Sequence, residues 1–342
     1  MTDSELTQVA SKELGVKASL ESQTADADVM RLAQMGHQQE LKRHFGILSL
    51  IGLASTTTNS WTGLGLALIT EIGAGGPGAV IYGFILVTIL QCFPGASLAE
   101  FVSSYPTSGW FSVSGWIFTT ASTNIMYAQL LMALRLRHQD LAYLPGIPGP
   151  QHSHFECRHV WEPHRDERFA FRTWINNTGW ESNVICFITG LVNPLYSLGG
   201  LNGITHITGE MPNPSRNAPL AIAITLCIAF VTGLTYLISL MFCIQDFDAL
   251  TTTNTGIPLT ELFHQATESV GGAFGLTFIL FIALGPCMVS SQLSTSRVVW
   301  VFARDKALPF SSAISKVSKR FEVPINAQFP VSTIVALLVY SL

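Results

Sequence analysis

Long apolar stretches separated by short polar connections run through most of the chain. They cover about 47–70, 78–99, 110–134, 184–206, 218–244 and 273–302, and another starts at 327. A mostly uncharged stretch of about 18 residues or more is long enough, as a helix, to cross the hydrocarbon core of a bilayer. We therefore predict an all-α integral membrane protein with about seven apolar spans, the last of which is truncated at residue 342.

Composition and charge narrow the class further. Only 12% of the residues are charged, whereas soluble globular proteins carry roughly 25%. A net charge of −4 without a basic tract offers no surface for nucleic acid. The basic loop 303–326 and the lack of Lys and Arg in 245–272 predict that the N-terminus and 303–326 are cytoplasmic. The segment 135–181 is irregular, because its six arginines fall on the side that should be poor in them.

Two of the spans contain residues that are unusual in a lipid-facing helix. The first has a run of small polar residues at membrane depth: Ser55, Thr56, Thr57, Thr58 and Asn59. The fourth has glycines and an amide after Pro194: Gly199, Gly200, Asn202 and Gly203. Interrupted helices survive in a bilayer where they line a cavity or are buried in protein, and paired interruptions bind the substrate in inverted-repeat transporters. We therefore predict that these residues bind a substrate. The alternative is that small and polar residues only pack helices together.

The polar segment 135–181 offers a competing chemistry. It contains His152, His154, Cys157 and His159, and imidazole and thiolate are ligands that zinc prefers. Their spacing matches no closed four-ligand pattern, and Pro-rich sequence does not hold ligands in place. We therefore predict no metal site, no catalytic residue and no enzyme. A zinc-dependent enzyme on this loop is the alternative, and a metal analysis would decide it.

Four blocks of sequence carry a resemblance to a known family. They are RHFGILSLIGLASTTTNSW at 43–61, GPGAVIYGFILVTILQCFPGASLAEFVSSYPTSG at 76–109, GGLNGITHITGEMPNPSRNAPLAI at 199–222 and SQLSTSRVVWVFARDKALPFS at 291–311. The chain resembles the fungal-type amino-acid/choline (4-aminobutyrate) permeases of the amino acid–polyamine–organocation superfamily. The resemblance implies a five-plus-five inverted-repeat transporter that moves an amino acid, 4-aminobutyrate or choline by alternating access.

The chain departs from the family pattern where two further spans are expected, between about 135 and 170. The predicted organisation is a cytoplasmic disordered tail at 1–43, spans one to three in 44–134, a polar Arg/His/Pro-rich connection in place of the expected spans at 135–181, spans four to six in 182–302, a cytoplasmic loop at 303–326 and a truncated final span at 327–342. A partial inverted-repeat fold follows. The rival hypothesis is therefore a non-transporting remnant that lacks helices needed to close the pathway.

The resemblance also suggests how such a protein works. A substrate carboxylate would be held by backbone amides near 55–58 and 199–203, and an amine by carbonyls of the interrupted ends. Arg43, Glu210 and Asp305 are candidates for a cytoplasmic gate; the alternative is that they are interfacial charges in water. We expect the lipid bilayer and a small amino acid or amine as partners, no cofactor, an undetermined coupling ion such as a proton or another cation, and the plasma membrane as location.

Overall fold

The computed structural model describes residues 46–58, 60–104, 110–142, 167–210, 214–251, 257–318 and 323–341. This part of the chain is helical apart from its connections. The helices are α1 (Ile47–Thr58), α2 (Ser60–Leu66), α3 (Leu68–Gly73), α4 (Gly76–Ser104), α5 (Trp110–Ala142), α6 (Glu167–Arg172), α7 (Asn183–Gly190), α8 (Val192–Ser197), the 3₁₀-helix Gly199–Glu210, α9 (Pro214–Cys243), α10 (Phe247–Thr251), α11 (Pro258–Thr267), α12 (Val270–Arg304), α13 (Ser311–Ile314) and α14 (Ile325–Ser341). The predicted all-helical class is confirmed.

The described helices include several that can cross a membrane. By length and composition four qualify: Gly76–Leu98, Asn183–Gly203, Arg216–Cys243 and Val270–Arg304. The apolar helix Ile325–Tyr340 is shorter. The first predicted span falls below this criterion because it is divided among α1, α2 and α3, and the third because hydroxyl and amide side chains dilute the hydropathy of α5. The helices indicate a multi-pass membrane protein.

The bundle is held together by long helix pairs. The most extensive contacts join α5 to α12 and α4 to α9. Fully buried side chains from five helices form the centre of the core: Leu64, Phe84, Leu130, Leu237 and Leu284. Large apolar side chains also point outward on the long helices α4, α9 and α12, among them Phe93, Val231, Ile279 and Ile282, and on α14 at Leu337. Apolar surface of this extent is typical of a face that contacts lipid.

A short connection joins the first two spans and anchors a distant segment. α3 ends at Gly73 and α4 starts at Gly76, as the glycine-rich sequence predicts. Gly76 has φ +81°, a conformation that favours glycine. Ala74 forms an isolated antiparallel bridge with Asn176, and the Asn177 amide donates to the Gly73 carbonyl over 2.8 Å. The connection at 74–75 and the end of the polar segment at 173–181 therefore lie at the same end of the bundle.

Candidate functional site

The two unusual spans meet at a close backbone contact. The fourth span is α-helical through Ser197 and changes to a 3₁₀-helix at Gly199, which brings Gly200 against the end of α1. A Cβ added to Gly200 would lie 2.5 Å from the Thr57 carbonyl oxygen and 2.8 Å from the Thr58 amide nitrogen. Only glycine permits this approach, because real Cβ atoms do not come so near to backbone atoms.

Hydroxyl groups in the first span are bonded to their own helix. Thr56 and Thr57 both donate to the Leu53 carbonyl, over 2.8 and 2.7 Å. Thr58 donates to the Ala54 carbonyl over 2.8 Å. Such back-bonding lets a polar side chain sit in an apolar environment without an unpaired donor. The residues at 56–58 are thus stabilised as the last described turn of α1, and their hydroxyl oxygens remain able to accept a hydrogen bond from a ligand.

A cavity of about 230 Å³ opens beside the contact between Thr57 and Gly200. Five of the residues that we predicted to bind a substrate lie on its wall: Thr57, Thr58, Gly199, Gly200 and Asn202. Gly203 lies behind the wall, where an added Cβ would be 3.2 Å from both Thr57 Cγ2 and Trp116 Cη2. Ser55 and Thr56 instead line a separate cavity of about 220 Å³ that also involves Thr225 on α9. Asn59 lies outside the described residues.

Most of the opposite wall comes from a helix that sequence reasoning did not assign to the site. α5 contributes Ser112, Gly115, Trp116, Thr119 and Thr123. Spacings of three, four, seven and eleven residues from Ser112 place these side chains on one helical face, so a stripe of small and polar residues in 110–134 was the available signal. Tyr196, Ser197 and Cys287 complete the wall with Gly63.

Hydrogen bonds fix this wall in place. Thr120 and Thr295 share a 2.6 Å hydrogen bond between their hydroxyls, and Thr295 also donates to the Trp116 carbonyl over 3.1 Å. These bonds connect α5 to α12 next to Trp116. The Tyr196 hydroxyl is bonded to the Ser122 hydroxyl over 2.9 Å. The Trp116 backbone is thus tied to α12, and the Tyr196 hydroxyl is tied to α5.

The cavity wall is polar but uncharged. None of its lining residues is acidic or basic, and the buried Ser197 hydroxyl has no hydrogen-bond partner in the described part of the chain. A ligand that enters would therefore meet hydroxyls, an amide, backbone groups and the rings of Trp116 and Tyr196. This chemistry suits a small molecule whose charges balance internally, or an organic cation that binds ring faces.

Little of the predicted cytoplasmic gate falls within the described structure. Arg43 and the side chain of Glu210 lie outside it. Asp305 follows α12, and its carboxylate Oδ1 is 3.7 Å from Arg304 Nε. The guanidinium of Arg304 also lies 5.2 Å from the ring centroid of Trp300. The described part shows no cluster of three or more potential metal ligands, and His152, His154, Cys157 and His159 are beyond it.

Comparison with known proteins identifies the family. The family model described as "Amino acid permease" matches residues 141–342, more than half of the chain. The chain belongs to the amino acid permease family. Members of this family are transporters and not enzymes, as predicted from the sequence. The resemblance to the amino acid–polyamine–organocation permeases is thereby confirmed.

Three curated relatives show the range of similarity. The choline transporter of Saccharomyces cerevisiae is 32% identical over 84% of this chain and 62% of its own length. The amino-acid permease BAT1 homolog of Oryza sativa subsp. japonica is 27% identical over 88% of this chain and 72% of its own. The GABA-specific permease of S. cerevisiae is 21% identical over 88% of this chain and 64% of its own length. The chain thus spans less than two thirds of two of these relatives.

Proposed function

We propose that this chain binds an amino acid or a related amine in the cavity between α1, α5, α8 and the 3₁₀-helix, and carries it across a membrane by alternating access. The observation that carries the proposal is the uncharged polar cavity at the contact between Thr57 and Gly200. Its volume of about 230 Å³ is below the roughly 300–1,000 Å³ typical of pockets for drug-sized ligands. The substrate is therefore a small metabolite.

The cavity wall favours a substrate with an ammonium group. Because no acidic side chain lines the cavity, a positive group would be stabilised by carbonyl oxygens at the end of α1 and by the faces of Trp116 and Tyr196. A carboxylate, if present, would be held by backbone amides at 199–203. An amino acid, 4-aminobutyrate and choline all meet this description, in agreement with the names of the relatives.

The wider architecture is part of the same proposal. The interrupted first and fourth spans would correspond to the paired broken helices of a partial five-plus-five inverted-repeat fold, where rocking of one repeat alternates access to a central site. Arg43, Glu210 and Asp305 would form the gate at the cytoplasmic end. We place the protein in the plasma membrane, with the connection at 74–75 facing outward.

A binding measurement on purified protein in detergent tests the proposal. Radiolabelled choline, 4-aminobutyrate and a mixture of amino acids should be compared by scintillation proximity. We expect one of them to bind saturably and Trp116→Leu to weaken binding of an ammonium ligand by about 2- to 30-fold, which corresponds to a cation–π interaction of roughly 0.5–2 kcal/mol. The matched control is Phe118→Leu on the same helix, since Phe118 is exposed on the outer surface.

Uptake into proteoliposomes separates transport from binding alone. Saturable uptake supports a transporter if its half-saturating concentration rises in Trp116→Leu and stays at the wild-type value in Phe118→Leu. Saturable binding without uptake would instead favour the rival hypothesis of a non-transporting remnant. If none of the three ligand classes binds to monodisperse protein, the proposed site is wrong.

A further inference from the structure

A buried carboxyl group connects the two interrupted spans away from the substrate cavity. Glu71 lies on α3 and is 3% exposed. Its Oε2 accepts a 2.7 Å hydrogen bond from Nδ2 of Asn193 on α8. The same Asn193 nitrogen donates to the Leu64 carbonyl over 3.3 Å. An ionisable side chain buried within a membrane bundle is energetically costly and is commonly functional.

Each side chain in this pair has one oxygen atom that accepts no hydrogen bond from the described residues. Glu71 Oε1 and Asn193 Oδ1 are both buried and receive no hydrogen bond from the described residues. Two acceptors without a donor are expensive in a low-dielectric environment. A proton on Oε1 would supply the missing donor, because a carboxylic acid and a primary amide can pair through two parallel hydrogen bonds, N–H to C=O and O–H to C=O.

The charges around Glu71 do not stabilise an ionised carboxylate. The helices packed against α3 are α2, α4, α7 and α11. Their titratable side chains are Tyr82, Cys92 and Glu100 on α4, Cys186 on α7, and Glu261 and His264 on α11. α8, which contacts Glu71 through Asn193, adds Tyr196. Nδ1 of His264 lies 3.8 Å from Oε1 of Glu261. No Lys, Arg or His lines the cavity that borders Glu71. Among the described residues, a carboxylate there would have no counter-ion lining its cavity.

A second cavity gives this carboxyl group access to protons. It has a volume of about 350 Å³ and is lined by Glu71 and Asn193 together with Ala74, Thr178 and Tyr196. Ala74 and Thr178 belong to the connections that pair at one end of the bundle. Water that enters this cavity would reach Glu71 on its wall.

The same short helix borders both cavities. α8 carries Asn193, which binds Glu71, and Tyr196 and Ser197, which line the substrate cavity. Tyr196 lines both spaces. A change in the Glu71–Asn193 pair would therefore act on a helix that also forms the substrate site, only one turn away.

We propose that Glu71 is a proton-binding site of the transport cycle, held by Asn193 when protonated and loaded from the cavity of about 350 Å³. This inference rests on the proposed transport function. In the step, hydronium in the cavity gives one proton to Oε1 and is left as water, and no electron is transferred. Loss of the proton leaves a buried carboxylate beside the Asn193 oxygen, and Glu71 Oε1 and Asn193 Oδ1 are then both acceptors without a donor, which favours a rearrangement of the Glu71–Asn193 pair.

Infrared difference spectroscopy of the purified protein tests the proton site without transport. Titration should show the carbonyl stretch of a protonated buried carboxylic acid that shifts in D₂O and disappears in Glu71→Gln. Glu181→Gln is the control, because Glu181 is exposed and should leave the band in place. Glutamine keeps the shape of the side chain, and a monodisperse elution profile verifies the fold. A band that is missing from the wild type at every pH where the protein is active would overturn the proposal.

Transport measurements then test the coupling. In proteoliposomes, an inward pH gradient should accelerate uptake by the wild type and by Glu181→Gln. In Glu71→Gln it should have no effect, while exchange of labelled for unlabelled substrate continues. A sodium gradient that drives uptake at equal pH, with Glu71→Gln abolishing it, would assign the site to a metal cation and overturn the proton assignment. If the wild type transports nothing while the infrared band titrates at Glu71, the proposed function fails and the proton site stands.

Discussion

Gly200 lies against the backbone of Thr57, with space for a hydrogen atom and none for a methyl group. The carbonyl oxygen of Thr57 would be 2.5 Å from a Cβ at this glycine. The contact closes one side of the candidate substrate cavity, to which both residues contribute. It therefore joins two spans that are more than 130 residues apart in the sequence, and the packing of the site depends on it.

We expect Gly200→Ala to weaken ligand binding about fivefold or more. Overpacking costs typically about 1–3 kcal/mol, and each 1.4 kcal/mol changes an equilibrium about tenfold. Gly285→Ala on α12 is the matched control, since a Cβ there meets nothing within 4 Å. Both variants should be compared in the radioligand assay after size-exclusion chromatography. Wild-type affinity in a folded Gly200→Ala variant would contradict the proposed site.

A methyl group should destabilise the protein more at Gly76, where α4 begins, than at Gly179 in the polar segment. Gly76 and Gly179 have similar backbone angles, φ +81° and +79°, so alanine pays a similar conformational cost of roughly 1 kcal/mol at each. A Cβ at Gly76 would also collide with the backbone of Thr173 and Ile175, whereas one at Gly179 meets nothing within 4 Å. Gly76→Ala should therefore lower the melting temperature in detergent more than Gly179→Ala. Equal shifts would mean that the contact with 173–175 is loose.

The hydroxyl of Thr295 should contribute to the packing of α5 on α12. Thr295→Val removes its bonds to Thr120 and the Trp116 carbonyl, and hydrogen bonds between membrane helices are worth about 0.6 kcal/mol on average, with a maximum near 1.7. Thr277→Val is the control on the same helix, because within the described residues the Thr277 hydroxyl bonds to the Ala273 carbonyl of its own helix, one turn earlier. Thermal unfolding followed by tryptophan fluorescence should give a lower melting temperature for Thr295→Val than for Thr277→Val. The reverse order would contradict a stabilising role of the Thr295 hydrogen bonds between α5 and α12.

Labelling of single cysteines tests the predicted sidedness. In a background without native cysteines, Cys replacements of Ser312 and Glu181 place exposed thiols on α13 and on the polar segment. An impermeant maleimide applied to intact cells should label the Glu181→Cys protein, and the Ser312→Cys protein only after permeabilisation. Labelling of Ser312→Cys from outside would invert the topology derived from the positive-inside rule.

Much of the site was accessible from sequence because it depends on residue types that are costly in lipid. The glycines at 199–200 and the threonines at 57–58 stand out in otherwise apolar spans, and they do line one cavity. Trp116 and Tyr196 were harder to find. An aromatic residue in an apolar helix is typical of both core and lipid-facing positions. The packing of α5 against α12 and the hydrogen bond from Tyr196 to Ser122 on α5 bring these two residues to the cavity.

From the sequence alone we could predict that this protein is helical, that it is a membrane protein and that it resembles amino acid permeases. The first two properties depend on the length and composition of single segments, and each segment shows them without reference to its neighbours. Which polar residues share a cavity depends on the tertiary structure: Thr57 and Thr58 line one cavity, and Ser55 and Thr56 line another. The hydrogen bond between Glu71 and Asn193 likewise depends on how the helices pack. Such contacts depend on how distant helices rotate and pack, and the hydropathy of a single span carries no information on its neighbour's rotation.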